Sequence, residues 1–227
     1  MGGTPVRILL ARHGETVSNV EGRWQGQTDS PLTDRGLAQA RELGRALTDE
    51  PIAAVYSSDL GRAFETARQV AAPHGLQVTS DPRLRELDVG EWTGRLGSEI
   101  RDEFPELIAL WRARPADLQL PGGETLAQAQ ARALAFVDQV MRRHVSETVV
   151  IITHGAVGQC LLIQAMGRPV TDLWLKERIQ NCQVSRLEWT PEAGLRLIEL
   201  CDVRHLVDVG SLTVWRVADA RFAGDST

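Results

Sequence analysis

The chain has 227 residues, of which 43% are hydrophobic and 24% charged, with a formal net charge of −5. That length supports a large α/β core, and the acidic balance argues against nonspecific binding to nucleic acid or to an anionic membrane. It leaves room for a locally basic pocket that takes an anionic small molecule.

The apolar run Val6–Ala11 reads as a buried strand that stops at Arg12-His13-Gly14. Thr33 is placed to cap a helix running to about Leu47, with Leu37, Ala40, Leu43, Gly44 and Leu47 on one face. Ile52–Ser57 reads as a second buried strand, followed by a helix over 61–72 and a short strand over 76–80. Residues 95–120, interrupted by Pro105 and Pro115, read as irregular helical pieces of an insertion near the site. Thr125 and Gln128 form a capping-box pattern ahead of a helix to about His144. Thr148–Thr153 is a third buried strand, with a helix over 155–166 after it. A hairpin over 184–189 and 195–201 turns around Pro191–Gly194, and residues 218–227 read as a frayed tail. This alternation predicts a single domain over 1–227, a three-layer α/β/α sandwich around a mainly parallel sheet.

Cys160, Cys182 and Cys201 are widely spaced, and no Cys-x-x-Cys pair exists, so buried thiols in a reducing compartment are expected. With five histidines in the chain no metal-ligand cluster stands out. Met1–Pro5 lack the pattern of a signal peptide, and the longest strongly apolar stretch, near Val149–Thr153, is too short to span a bilayer. A cytoplasmic location is the resulting expectation.

The chemistry gathers at strand ends. Arg12-His13 ends the first strand, Arg62 follows the second, and His154-Gly155 ends the third at a helix N-terminus, where backbone N–H groups favour anions. Parallel strands bring their carboxyl ends to one edge, the usual ligand-binding edge of an open α/β sheet. Glu86, in a glycine-punctuated segment, adds an acid. Each residue alone reads most simply as a solvated loop group or surface charge. Their joint placement, each just past a buried strand and beside glycine, favours a shared anion site.

Arg12-His13-Gly14-Glu15-Thr16 with Asn19 resembles the phosphohistidine motif of the histidine phosphatase superfamily, in its phosphoglycerate mutase-like branch. The similarity continues in family order through Gln25-Gly26, Asp29–Thr33, Ser57–Ala63 with Thr66-Ala67, Arg85-Glu86-Leu87, Gly90–Gly94, Gly122–Thr125 and Thr153-His154-Gly155. The resemblance implies that His13 is the nucleophile, that Arg12, Arg62 and His154 hold the phosphoryl group, and that Glu86 is the general acid and base. Asn19, Gly155 and backbone N–H groups at the helix starts would add donors. Gln25 matches a pocket position, and His205 matches a short C-terminal segment that approaches it. No cofactor and no metal is implied.

The mutases of the family carry Glu-Arg-His-Tyr-Gly, where this chain has Glu86-Leu87-Asp88-Val89-Gly90. The insertion offers Arg95, Arg101, Arg112 and Arg114 without the mutases' lysine and paired arginines. The expected activity is therefore a phosphomonoesterase acting on a small phosphorylated metabolite, with a mutase or a noncatalytic phospho-ligand binder as alternatives. Asp88 leaves a substrate ammonium open, Trp24, Trp92 and Trp111 read first as packing, and a homodimer is left open.

Overall fold

The computed structural model describes residues 4–172 and 179–209; the expected tail at 218–227 lies outside the described residues. A six-stranded sheet has the order β3-β2-β4-β1-β5-β6, with β1 Val6–Arg12, β2 Ile52–Ser57, β3 Val78–Ser80, β4 Thr148–Thr153, β5 Val184–Thr190 and β6 Gly194–Asp202. The first four positions are parallel pairings, and β5 and β6 close one side as an antiparallel hairpin. The helices are α1 Val17–Glu21, α2 Asp34–Ala46, α3 Gly61–Ala71, α4 Gly97–Glu103, α5 Pro105–Ala113, α6 Leu126–Met141 and α7 Gly155–Ala165.

The central strands are continuously apolar over Ile8–Ala11 and Val149–Ile152 because both faces of the sheet are covered there. Along β1, Val6, Ile8 and Leu10 enter one core with α6 and α7, while Leu9 and Ala11 enter the other with α2 and α3. Along β4, Val149 and Ile151 join the first core, and Val150 and Ile152 the second. A single polar substitution on either strand would thus meet a packed layer, with about 1.5–3 kcal/mol at stake per buried aliphatic side chain. The α/β/α layering expected from the alternation is what the chain adopts.

The helix starts follow from local chemistry. Thr33 Oγ1 accepts from Gly36 N, and Thr125 and Gln128 form the capping box that opens α6. The sequence pattern missed α1, a single turn in which Thr16 and Asn19 cap each other reciprocally. Residues 97–113 form α4 and α5, whose Ile100, Ile108 and Trp111 enter the first core. This region is tied to the segment after α1: Trp24 N donates to Arg95 O and Gly97 N to Gly22 O. Trp24 meets both Trp92 and Trp111 edge-on at 5.1 and 5.6 Å, so these rings pack on one another.

Two glycines set how closely the loop after β1 approaches α2. A Cβ on Gly36 would lie 2.0 Å from Glu15 O, and one on Gly14 would lie 2.4 Å from Gly36 O. Main chain meets main chain there, and only glycine permits it.

Candidate active site

The parallel register brings three strand ends together. Arg12 pairs with Thr153 and Ser57 with Ile152, and the ladder extends past the strands through His13 N donating to Thr153 O and Ser58 N to Ile152 O. His13 and His154 therefore leave adjacent strands side by side, their ring centroids 5.1 Å apart. Both are buried, His13 2% and His154 0% exposed.

The tautomer of His13 follows from its partner. Its Nδ1 lies 2.7 Å from Gly14 O, and a carbonyl oxygen only accepts, so Nδ1 carries the proton. Nε2 is left with a free lone pair. Burial, then the cations Arg62 and Arg12, hold the imidazole neutral well below the usual histidine range. Burial and the same cations, together with His13, act likewise on His154.

The arginines are fixed by their tips. Arg62 donates from Nη1 to Thr28 O at 2.7 Å and from Nη2 to Gly26 O at 2.9 Å, leaving Nε buried without a partner. Arg12 donates from Nη1 to Ile179 O at 3.0 Å, and its Nε is likewise unpartnered. Burial pushes the Arg12 guanidinium down to about 10, so it stays charged at neutral pH. Asn19 Oδ1 accepts from Thr16 N at 3.2 Å, which leaves its buried Nδ2 without a partner. Neither ring nitrogen of His154 has a partner. Each buried donor left unsatisfied costs about 1–3 kcal/mol. Unpartnered nitrogens on Arg12, Arg62, Asn19 and His154 are what an anion-binding site looks like.

Glu86 lies on the other side of this set. Its carboxylate accepts from Leu87 N at 2.8 Å, from Ala156 N at 3.1 and 3.2 Å and from Val157 N at 3.3 Å, so it caps α7 from a distant loop. A Cβ on Gly155 would lie 3.5 Å from Glu86 Oε2 and 3.8 Å from Arg12 Nε, which puts the acid and the arginine close together beside that glycine. The expectation that backbone N–H groups at the helix starts face the ligand fails for four of them. Ala156 N and Val157 N serve Glu86, while at the start of α3 Gly61 N and Arg62 N donate to Asp29 at 2.6 and 3.3 Å. A protein carboxylate occupies each of these helix starts.

The remaining sequence candidates fall in different places. Gln25 Oε1 accepts from Thr16 Oγ1 at 3.1 Å, which holds it beside the loop after His13. His205 donates from Nε2 to Cys182 O at 2.9 Å, a main-chain tie beneath the Arg12 strand end. Asp88 Oδ1 accepts from Gly90 N, and the side chain lines a cleft of about 570 Å³ with Gln27, Arg85, Glu124 and Arg132. Arg12, His13, Arg62 and His154 do not line that cleft, and its Gln27 donates to Glu86 O at 3.2 Å. Among the described residues no group of three or more His, Cys, Asp or Glu is placed to hold a metal ion.

Two supporting groups escaped the sequence reading. Arg132, on α6, donates to the carbonyls of Arg83, Arg85 and Glu86 at 2.8, 2.6 and 2.9 Å and pairs with Glu124, fixing the main chain that carries Glu86. Its position on an amphipathic helix gave no sign of this. The segment ahead of β5 backs the nucleophile: Cys182 N donates to Arg12 O at 3.0 Å and Asn181 Nδ2 to His13 O at 2.8 Å.

This constellation gathers two neutral histidines and several buried, unpartnered donors at the carboxyl ends of parallel strands, a setting suited to an anionic ligand. Residues 8–201 match the model of the histidine phosphatase superfamily (branch 1). The chain belongs to that superfamily, and its enzymatic class is that of a phosphatase. It is 34% identical over 169 residues to phosphoserine phosphatase 1 of Hydrogenobacter thermophilus, covering 74% of this chain and 80% of that one. It is 32% identical over 205 residues to a probable phosphoglycerate mutase GpmB of Enterobacter sp., covering 88% and 95%. Among solved structures, Bacillus stearothermophilus YhfR superposes with a TM-score of 0.85 at 36% identity, over 88% of this chain and 99% of that one.

Proposed function

We propose that the protein hydrolyses small phosphorylated metabolites through a phosphohistidine on His13, without a metal ion. The observation that carries this reading is a neutral His13, its Nδ1–H tied to Gly14 O so that Nε2 holds the lone pair, beside unpartnered nitrogens on Arg12, Arg62, Asn19 and His154. Nε2 attacks phosphorus in line, and the ester P–O bond breaks as the N–P bond forms. Protonated Glu86 gives its proton to the departing alkoxide, and Oε2, with its one long amide contact, is the oxygen open to it. Water then attacks phosphorus and passes a proton to the Glu86 carboxylate. The N–P electron pair returns to Nε2, and inorganic phosphate leaves.

Arg12 and Arg62 are in place to offset charge on the phosphoryl oxygens, with Asn19 and a His154 ring N–H as further donors. Arginine forks pinned at their tips need no reorganisation for this, which is where most of the catalysis of phosphoryl transfer arises. Glu86-Leu87-Asp88 lacks the mutase pattern, so water is the favoured acceptor. The buried thiols Cys160 and Cys182 suit a reducing compartment such as the cytoplasm. Residues 95–120, tied to the segment that carries Trp24 and followed closely by Gln25, are read as covering the leaving-group side.

The test is turnover of a generic aryl phosphate with a chelator present, with rapid-quench detection of the phosphoenzyme. Full activity in chelator and its loss in His13→Ala are expected. Undiminished turnover by the variant overturns the nucleophile, activity lost to chelator overturns metal independence, and rapid isomerisation of 3-phosphoglycerate makes the enzyme a mutase.

A further inference from the structure

Asn181 is fully buried behind the nucleophile, and hydrogen-bond logic fixes its orientation. The atom 2.8 Å from His13 O must be its Nδ2, because a carbonyl cannot donate. The atom of Asn19 that lies 3.2 Å from Thr16 N must be Oδ1, because a backbone N–H cannot accept. The two amides then meet with matching polarity, Asn181 Nδ2 donating to Asn19 Oδ1 at 3.4 Å. With Oδ1 engaged by Thr16 and Asn181, Asn19 has its Nδ2 left over as a buried donor without a partner. A flipped Asn19 would set N–H against N–H at both contacts.

We propose that Asn181 is a positioning residue that holds the Asn19 amide with Nδ2 turned toward the transferred phosphoryl group, while fixing the carbonyl of the nucleophile. This rests on the proposed phosphohistidine mechanism. The same side chain touches both residues, so it sets where the donor lies relative to His13. Replacing its N–H donor by a carboxylate oxygen would repel both carbonyl oxygens. It would also reward a flipped Asn19, withdrawing that donor from the phosphoryl group.

The experiment is a double-mutant cycle between positions 19 and 181, read by kcat, KM and the inhibition constant of orthovanadate. Asn181→Asp is expected to weaken vanadate binding about 10-fold and to lower kcat by roughly 10- to 100-fold with KM little changed, less than the about 10²- to 10³-fold for deleting an oriented donor outright. In the Asn19→Ala background the same substitution should cost at least about 5-fold less on both readouts, since the donor is gone and only the contact with His13 O remains. Asn181→Ser, uncharged and shorter, carries the same cycle should the Asp variant fail to fold. Equal losses in both backgrounds, or unaltered vanadate affinity in the single variant, overturn the assignment. If His13→Ala keeps its turnover, the mechanism itself has failed; an additive cycle in an enzyme that needs His13 refutes Asn181 alone.

Discussion

Lowering the pH should destabilise this protein through the same two imidazoles that are read as its catalytic centre. His13 and His154 are buried against Arg12 and Arg62, and both are held neutral well below the ordinary value of 6.5. In the unfolded chain both take up protons near 6.5, so below that pH the unfolded state binds more protons than the folded one. Stability is therefore full above this range and is lost as the pH falls through it. About one unit below 6.5 the slope approaches 2.303RT per group, about 1.4 kcal/mol per pH unit each and roughly 3 for the pair. Urea unfolding at a series of pH values, for the wild type and for His13→Gln/His154→Gln, measures it. The double variant should show a slope shallower by up to that amount. His205, whose value burial also lowers, is common to both proteins and cancels. Parallel slopes would refute the claim that these rings are neutral in the folded state.

Glu86→Gln should separate substrates by leaving group: an alkyl phosphate should lose about 10²- to 10⁴-fold in kcat/KM, and an activated aryl phosphate far less. Equal losses on both would remove Glu86 from the proton-donor role. Gly36→Ala would drive a Cβ to 2.0 Å from Glu15 O, so an unfolding free energy lower by about 1–3 kcal/mol or more is expected, with reduced kcat because the His13 loop must shift. Unchanged chemical denaturation would show that the approach relaxes freely. Arg132→Lys keeps the charge but not the fork that spans three carbonyls, and should lower kcat roughly 10- to 100-fold by displacing Glu86. Wild-type kcat in that variant would free Glu86 from this support.

The buried strands were readable because their aliphatic runs need cover on both faces, and each run ends abruptly in a polar pair, as at Arg12-His13 and Thr153-His154. Convergence of Arg12, His13, Arg62 and His154 then followed from parallel pairing alone. What escaped the reading was short or nonlocal. Helix α1 spans five residues, too few for any periodicity, though the Thr16–Asn19 spacing carried a capping signal. The carboxylates on the helix starts come from far along the chain, Asp29 to Gly61 and Glu86 to Ala156, and no local pattern announces such a contact. Arg132 looked like a surface charge on an amphipathic helix, and Asn181 lies in a segment without apolar period.

The occupied helix starts bear on how such a site can change over evolutionary time. Where main-chain amides grip a phosphate, no single substitution removes them. Here four such amides serve Asp29 and Glu86, and the buried side chains of Arg12, Arg62, Asn19 and His154 carry unpartnered nitrogens. Each can be deleted singly, and each deletion removes a buried polar group that the resting fold leaves unsatisfied. At His154, whose ring makes no hydrogen bond in the fold, selection for stability alone would work against the donor, a trade-off between activity and stability. Arg12, Arg62 and Asn19 also tie Ile179 O, Thr28 O with Gly26 O, and Thr16 N, so their loss would cost the fold as well. The donor set is thus held partly by folding, and its exposure to that trade-off is concentrated at His154.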